Sequence, residues 1–146
     1  MMEKLPPIEK IYEAYTAIAD ERVSLYADHG EVLSSDLRKT YTVSFKDDVY
    51  ASDDNATYWQ AYAGYPVIAV LFKQGRLAYD EKTAEQFKGI NWNGLNRRFK
   101  RKYSEALAYV MEERKLDKEA IEAQTRKVYD DLQKLDISIR RGKFPS

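Results

Sequence analysis

The sequence predicts a single α+β domain over residues 1–146, predominantly helical, with a small antiparallel β-hairpin packed on helices and two long C-terminal helices. Three observations predict it. Apolar residues recur at three- and four-residue spacing through most of the chain, the signature of amphipathic helices. The period drops to two in "KTYTVSF", residues 39–45, where Tyr41, Val43 and Phe45 alternate with Thr40, Thr42 and Ser44. The 146 residues, 44% hydrophobic and 13% aromatic, suffice for one core and are far from the composition of a disordered chain.

Each element follows from local signals. Residues Pro7–Ala27 read as an amphipathic helix, with Ile8, Ile11, Tyr15 and Ile18 on one stripe and Pro6-Pro7 at its start. "DHGEVLSSD" stops that helix and begins a loop, although "EVL" at 31–33 is a candidate third strand. The hairpin spans 39–52, with "KDD" as its turn. The nearly continuous apolar stretch 55–74 fits either two strands or two helices. Its punctuation favours helices: Asp53 or Asp54 as N-cap, Gly64 as C-cap, Pro66 opening a second helix and Gly75 closing it, with Leu77 as the apolar residue of a Schellman ending. A short helix is expected over 81–88. A long one follows over Trp92–Lys115, with Leu95, Phe99, Tyr103, Ala106 and Val110 on its stripe. The last starts at Asp117 and carries a seam of Ile121, Thr125, Val128, Leu132 and Leu135, suited to an antiparallel partner such as the helix before it. The tail from about 138 is expected to fray.

Charge and composition narrow the function. The formal net charge is zero, but residues 1–73 carry 7 Lys+Arg against 12 Asp+Glu, and residues 74–146 carry 17 against 12. Opposed halves suit an anionic partner for the basic half, or packing of half against half or chain against chain. The absence of Cys excludes disulfides, thiolate zinc sites, iron–sulfur clusters and a cysteine nucleophile. No apolar run reaches the roughly 20 residues of a membrane span, and "MMEKLPPIEK" lacks signal-peptide features, so a soluble cytoplasmic protein with no membrane partner is expected.

Four groups of residues are candidate sites. "NRRFKRKY" places Arg97, Arg98, Lys100, Arg101 and Lys102 around Phe99, a shell that could hold phosphates. The short helix, Gly89-containing turn and basic helix share the outline of a helix-turn-helix, with Glu85 where a small residue normally stands. On a helix, Leu95, Phe99 and Tyr103 face inward, so the rings read as core and the cations as a solvated face. Asp47, Asp48, Asp53 and Asp54 could gather round a hard cation, but their spacing matches no calcium loop, and turns and caps explain them; no metal is expected. The sole His, His29, sits beside a helix end with no triad partner in sequence. Tyr58, Trp59, Tyr62 and Tyr65 either seal the hairpin against the helices or line an interface or pocket. No catalytic motif and no cofactor fingerprint is present. The leading expectation is a non-enzymatic protein acting through protein–protein contact, including self-association. A nucleic-acid-binding module using the basic residues is the alternative, and a small enzyme or ligand-binding protein the third.

Overall fold

The computed structural model describes residues 4–142, and among these the chain forms seven helices and five strands. Helix α1 (Glu9–Ala19) ends where Glu21 turns left-handed, φ 56°, and the Arg22 amide donates back to Ala17 O at 2.9 Å. This Schellman-type stop satisfies the last carbonyls, so the helix does not run to Ala27 as expected. Val23–Leu25 is instead strand β1, pairing with β2 (His29–Leu33). Within the stretch "DHGEVLSSD" read as the start of a loop, His29 and Gly30 thus belong to a strand, and "EVL" is the third strand beside β3 (Thr40–Lys46).

The expected hairpin forms between β3 and β4 (Val49–Ser52), with Asp47 and Asp48 at φ 51° and 65°. Two positive φ values in a two-residue loop match the twist of the flanking strands. The hairpin is the centre of a larger sheet, ordered β1-β2-β3-β4-β5. Its last member, β5 (Ser138–Arg141), runs parallel to β4 with Ile139 opposite Tyr50. The start of the tail is therefore a strand rather than frayed, held by the ladder and by the burial of Ile137 beside it, while the rest of the tail, from 143, lies outside the described residues.

The helical reading of 55–74 holds. Asp54 caps α2 (Asn55–Gln60) by accepting from the Thr57 amide at 3.0 Å, and Pro66 stands in the first turn of α3 (Tyr65–Lys73). Gly75 closes α3 at φ 75°, with Leu77 buried behind it. Helix α2 ends earlier than expected, at left-handed Ala61, while a side chain at Gly64 would run into the Asp54 carboxylate. Helix α4 spans Glu81–Glu85.

The single helix expected over Trp92–Lys115 is two: α5 (Trp92–Arg98) and α6 (Tyr103–Glu113). Lys100 and Arg101 are both left-handed, φ 54° and 64°, and the Arg101 amide donates to Asn96 O at 2.6 Å. The apolar spacing is compatible with a break there. A continuous helix would also stack Arg97 on Arg101 and Arg98 on Lys102, unfavourable like-charge pairs one turn apart.

Helix α1 is the centre of the molecule. Residues Lys10–Ala17 are buried on all sides, by α3 and α4 and by parts of α6 and α7 (Lys118–Lys134), so the helix is not the surface amphipath its stripe suggested. Behind α3 lies one face of the sheet: an added Cβ on Gly30 would stand 2.6 Å from Val70 Cγ2. The seam of α7 is used internally. Ile121, Val128 and Leu132 are buried, Thr125 Oγ1 lies 3.3 Å from the Tyr15 hydroxyl, and the Tyr129 hydroxyl donates to Pro6 O at 2.8 Å. Its partner is α1 rather than only the helix before it. No helix among the described residues is long and apolar enough to cross a membrane.

Candidate ligand site

The basic segment covers the last turn of α5, with Arg97 and Arg98, and the exposed turn that leads to α6. Arg98 lies 4.8 Å from the ring centroid of Tyr109 and 5.5 Å from that of Phe99, and Lys102 pairs with Glu105 at 3.7 Å. Arg97, Lys100 and Arg101 project into solvent. Phe99 and Tyr103 are half-buried, Phe99 against Tyr109, so neither is a free stacking platform. The acidic residues serve the fold: Asp48 pairs with Arg76 at 2.9 Å, Asp53 accepts from the Thr42 amide at 2.8 Å, and Asp54 caps α2. No group of three His, Asp or Glu placed to hold a metal occurs among the described residues. His29 lies on β2, not at a helix end, stacked on Tyr26 and 2.7 Å from Asp28.

The four aromatics divide. Tyr58 and Trp59 stand out from α2, 43% and 69% exposed, with their rings 4.9 Å apart. Tyr62 and Tyr65 turn inward, to a polar cluster that sequence patterns do not single out.

That cluster begins on α1. Because the helix is covered on every side, Lys10 and Glu13, one turn apart, have no solvent to reach and face each other, Nζ to Oε2 at 3.2 Å. Lys10 Nζ lies 4.3 Å from the centroid of the Tyr103 ring. Asn96, buried on α5, reaches Glu13 Oε1 at 3.5 Å. The Schellman turn after α1 delivers Arg22, whose Nη1 donates to Leu33 O and whose Nε lies 3.8 Å from Asp20. Tyr65, at the start of α3, brings its hydroxyl beside Arg22, with Tyr41 of β3 edge-on to its ring at 6.3 Å.

Among the described residues, three buried side-chain atoms are without a hydrogen-bond partner, and all three are here: Glu13 Oε2, Arg22 Nη2 and the Tyr65 hydroxyl. Lys10 Nζ is close to the first but out of line for a hydrogen bond. Each such group costs about 1–3 kcal/mol relative to a satisfied one, so folded proteins keep few of them. The electrostatics are uneven. Burial pushes the Glu13 carboxyl above the ordinary range and outweighs the lowering by Lys10; Asp54 adds to the rise. Burial also works against the Lys10 ammonium, but Glu13 and the Tyr103 and Tyr62 hydroxyls outweigh it and hold its pKa above the usual value. Burial prevails at one partner and not at the other because the carboxylate is the more deeply enclosed. It likewise raises Tyr65 strongly, so that side chain stays a neutral hydroxyl.

The cluster is built from α1, the turn after it, β3, the α2–α3 segment, α5 and the start of α6. It offers a guanidinium donor, a hydroxyl and a carboxyl able to carry a proton. A signal in the sequence did exist: Lys10 and Glu13 interrupt the run Ile11, Tyr12, Ala14, Tyr15, Ala17, which has apolar residues on every side of the helix. No curated protein and no solved structure matches the chain. A family model matches residues 3–138, nearly the whole of it, and the chain belongs to that family, described as uncharacterised conserved protein UCP014422.

Proposed function

We propose that the chain works by binding a small polar ligand at the Lys10–Glu13–Arg22–Tyr65 cluster. The observation that carries this reading is the convergence of three unpartnered buried polar atoms from separate elements. Structural needs do not explain such a group, since apolar residues would fill the space at lower cost in free energy. Proteins retain destabilising polar groups chiefly at functional sites. A fragment screen followed by amide chemical shifts tests it. Shifts should gather at residues 10–13, 22, 41, 62–65 and 96. A screen in which they gather at Trp59 or at the 97–102 turn instead would remove the reading.

A second reading, contact with another protein, is favoured by the exposed Tyr58–Trp59 pair, because aromatic residues of this kind anchor interfaces. Self-association through these rings is tested by sedimentation of the wild type and Trp59→Ser. A monomer in both at high concentration leaves only a different protein as partner.

A further inference from the structure

Resting on the ligand-site reading, we infer that the ligand presents an oxyanion, a carboxylate or phosphate oxygen, to Arg22 Nη2 and the Tyr65 hydroxyl, and that Glu13 meets it as the neutral acid, donating a third hydrogen bond. Arg22 Nη2 can only donate, and the Tyr65 hydroxyl, beside a guanidinium, can donate freely to a third party. Hydrogen bonds from such groups to an ionised oxygen are the strong ones.

The charged groups facing Glu13 are Lys10 on its own helix, Arg22 from the turn after α1 and Asp54 from the head of α2. Asn96 from α5 is uncharged, and burial keeps the Tyr41, Tyr62 and Tyr65 hydroxyls neutral. Asp20, 3.8 Å from Arg22 Nε, adds a further carboxylate. With Glu13 ionised, three carboxylates stand against the two cations and an anion is repelled; with Glu13 protonated, Lys10 and Arg22 balance Asp20 and Asp54, and that repulsion is lifted. Both Asp54 oxygens are already engaged, by the Ser52 hydroxyl and the Thr57 amide. One oxyanion lodged among the three orphaned atoms would give each of them a partner. A cation would satisfy Glu13 alone and stand beside two positive charges. A neutral amide oxygen could accept from the same donors, but it brings no charge to the Arg22 guanidinium and so makes the weaker hydrogen bonds.

Binding in this form takes up a proton wherever Glu13 is ionised in the free protein, so affinity should fall by up to about tenfold per pH unit there. The test uses four probes on the full chain, read by side-chain NMR at Arg22 and Tyr65: benzoate, inorganic phosphate, neutral benzamide and cationic benzamidine. Benzoate, phosphate or both should bind, which also separates carboxylate from phosphate sources. Benzoate stays ionised from about pH 5 to 8, so its affinity series in that range reads the protein's proton. Glu13→Gln should flatten that series. Tyr65→Phe, which keeps the ring, should weaken binding about tenfold through loss of a hydrogen bond to a charged group. Arg97→Ala with Arg101→Ala should leave binding unaltered, excluding the basic turn as the anion's seat. Benzamide or benzamidine binding in place of the anions would overturn the oxyanion while leaving the ligand site. If no probe moves Arg22 or Tyr65, and water alone meets the orphaned atoms, both inferences fall.

Discussion

Replacing Thr16 by Val should destabilise the protein far more than its size suggests. Thr16 is fully buried on α1, and its hydroxyl donates to Phe87 O at 2.6 Å while accepting from Trp92 Nε1 at 2.8 Å. Trp92 is 3% exposed, so neither partner has water to turn to. Valine keeps the shape and removes both bonds. Two orphaned groups at about 1–3 kcal/mol each, less about 0.8 kcal/mol for the added apolar burial, give a net loss of about 1–5 kcal/mol. Urea unfolding followed by circular dichroism should show a lower midpoint with an unchanged slope, because the exposed area does not change. Trp92→Phe should cost less, and the double variant less than the sum of the two, since both remove one bond. A Thr16→Val loss under about 1 kcal/mol would refute the reasoning, showing that the two partners find water or one another. The residue matters beyond stability. It ties α1 to the Phe87–Trp92 turn that sets α5, and so Asn96, against Glu13.

Gly30→Ala should lower stability by about 1–3 kcal/mol through overpacking, and Val70→Ala should restore part of it in the double variant; thermal melts of the three decide this, and additive losses would count against the contact. The raised pKa of Glu13 fixes the sign of a pH effect. The folded state holds this proton more tightly than the unfolded one, so the contribution is fully present below the ordinary value of 4.5 and is lost as pH rises through the folded pKa. Over that window stability should fall by up to about 1.4 kcal/mol per pH unit, and Glu13→Gln should lack this component; parallel urea-midpoint profiles for the two proteins would contradict it. Any association with DNA through the 97–102 turn rests on Arg97, Lys100 and Arg101, its three cations without an ion pair or ring contact among the described residues. Its affinity should therefore fall with salt at a log–log slope of about −3, and a titration with no salt dependence would dismiss the nucleic-acid reading.

The sequence by itself determined the elements whose signals are local. Asp54 and Asp117 cap helices because their side chains reach amides three residues on, at 3.0 and 3.2 Å, and Gly75 ends α3 because its left-handed φ carries no penalty there. The alternation through 40–45 marks a strand whatever lies beside it. Only the tertiary structure decided the rest. Strands β1 and β5 are three and four residues long and exist because β2 and β4 supply ladders for them. The left-handed ends at Glu21, Ala61, Lys100 and Arg101 lack the glycine that would have announced them, so helices read as longer than they are. The candidate site lay furthest out of reach. Tyr62 and Tyr65 were visible as aromatics, but what they face was not. Lys10, Glu13 and Arg22 look like ordinary surface charges until a sheet-backed α3, α4 and the later helices close round α1. Enclosure is a property of the whole fold, and enclosure alone turns an i, i+3 pair on a helix into a buried pair whose carboxyl pKa is raised.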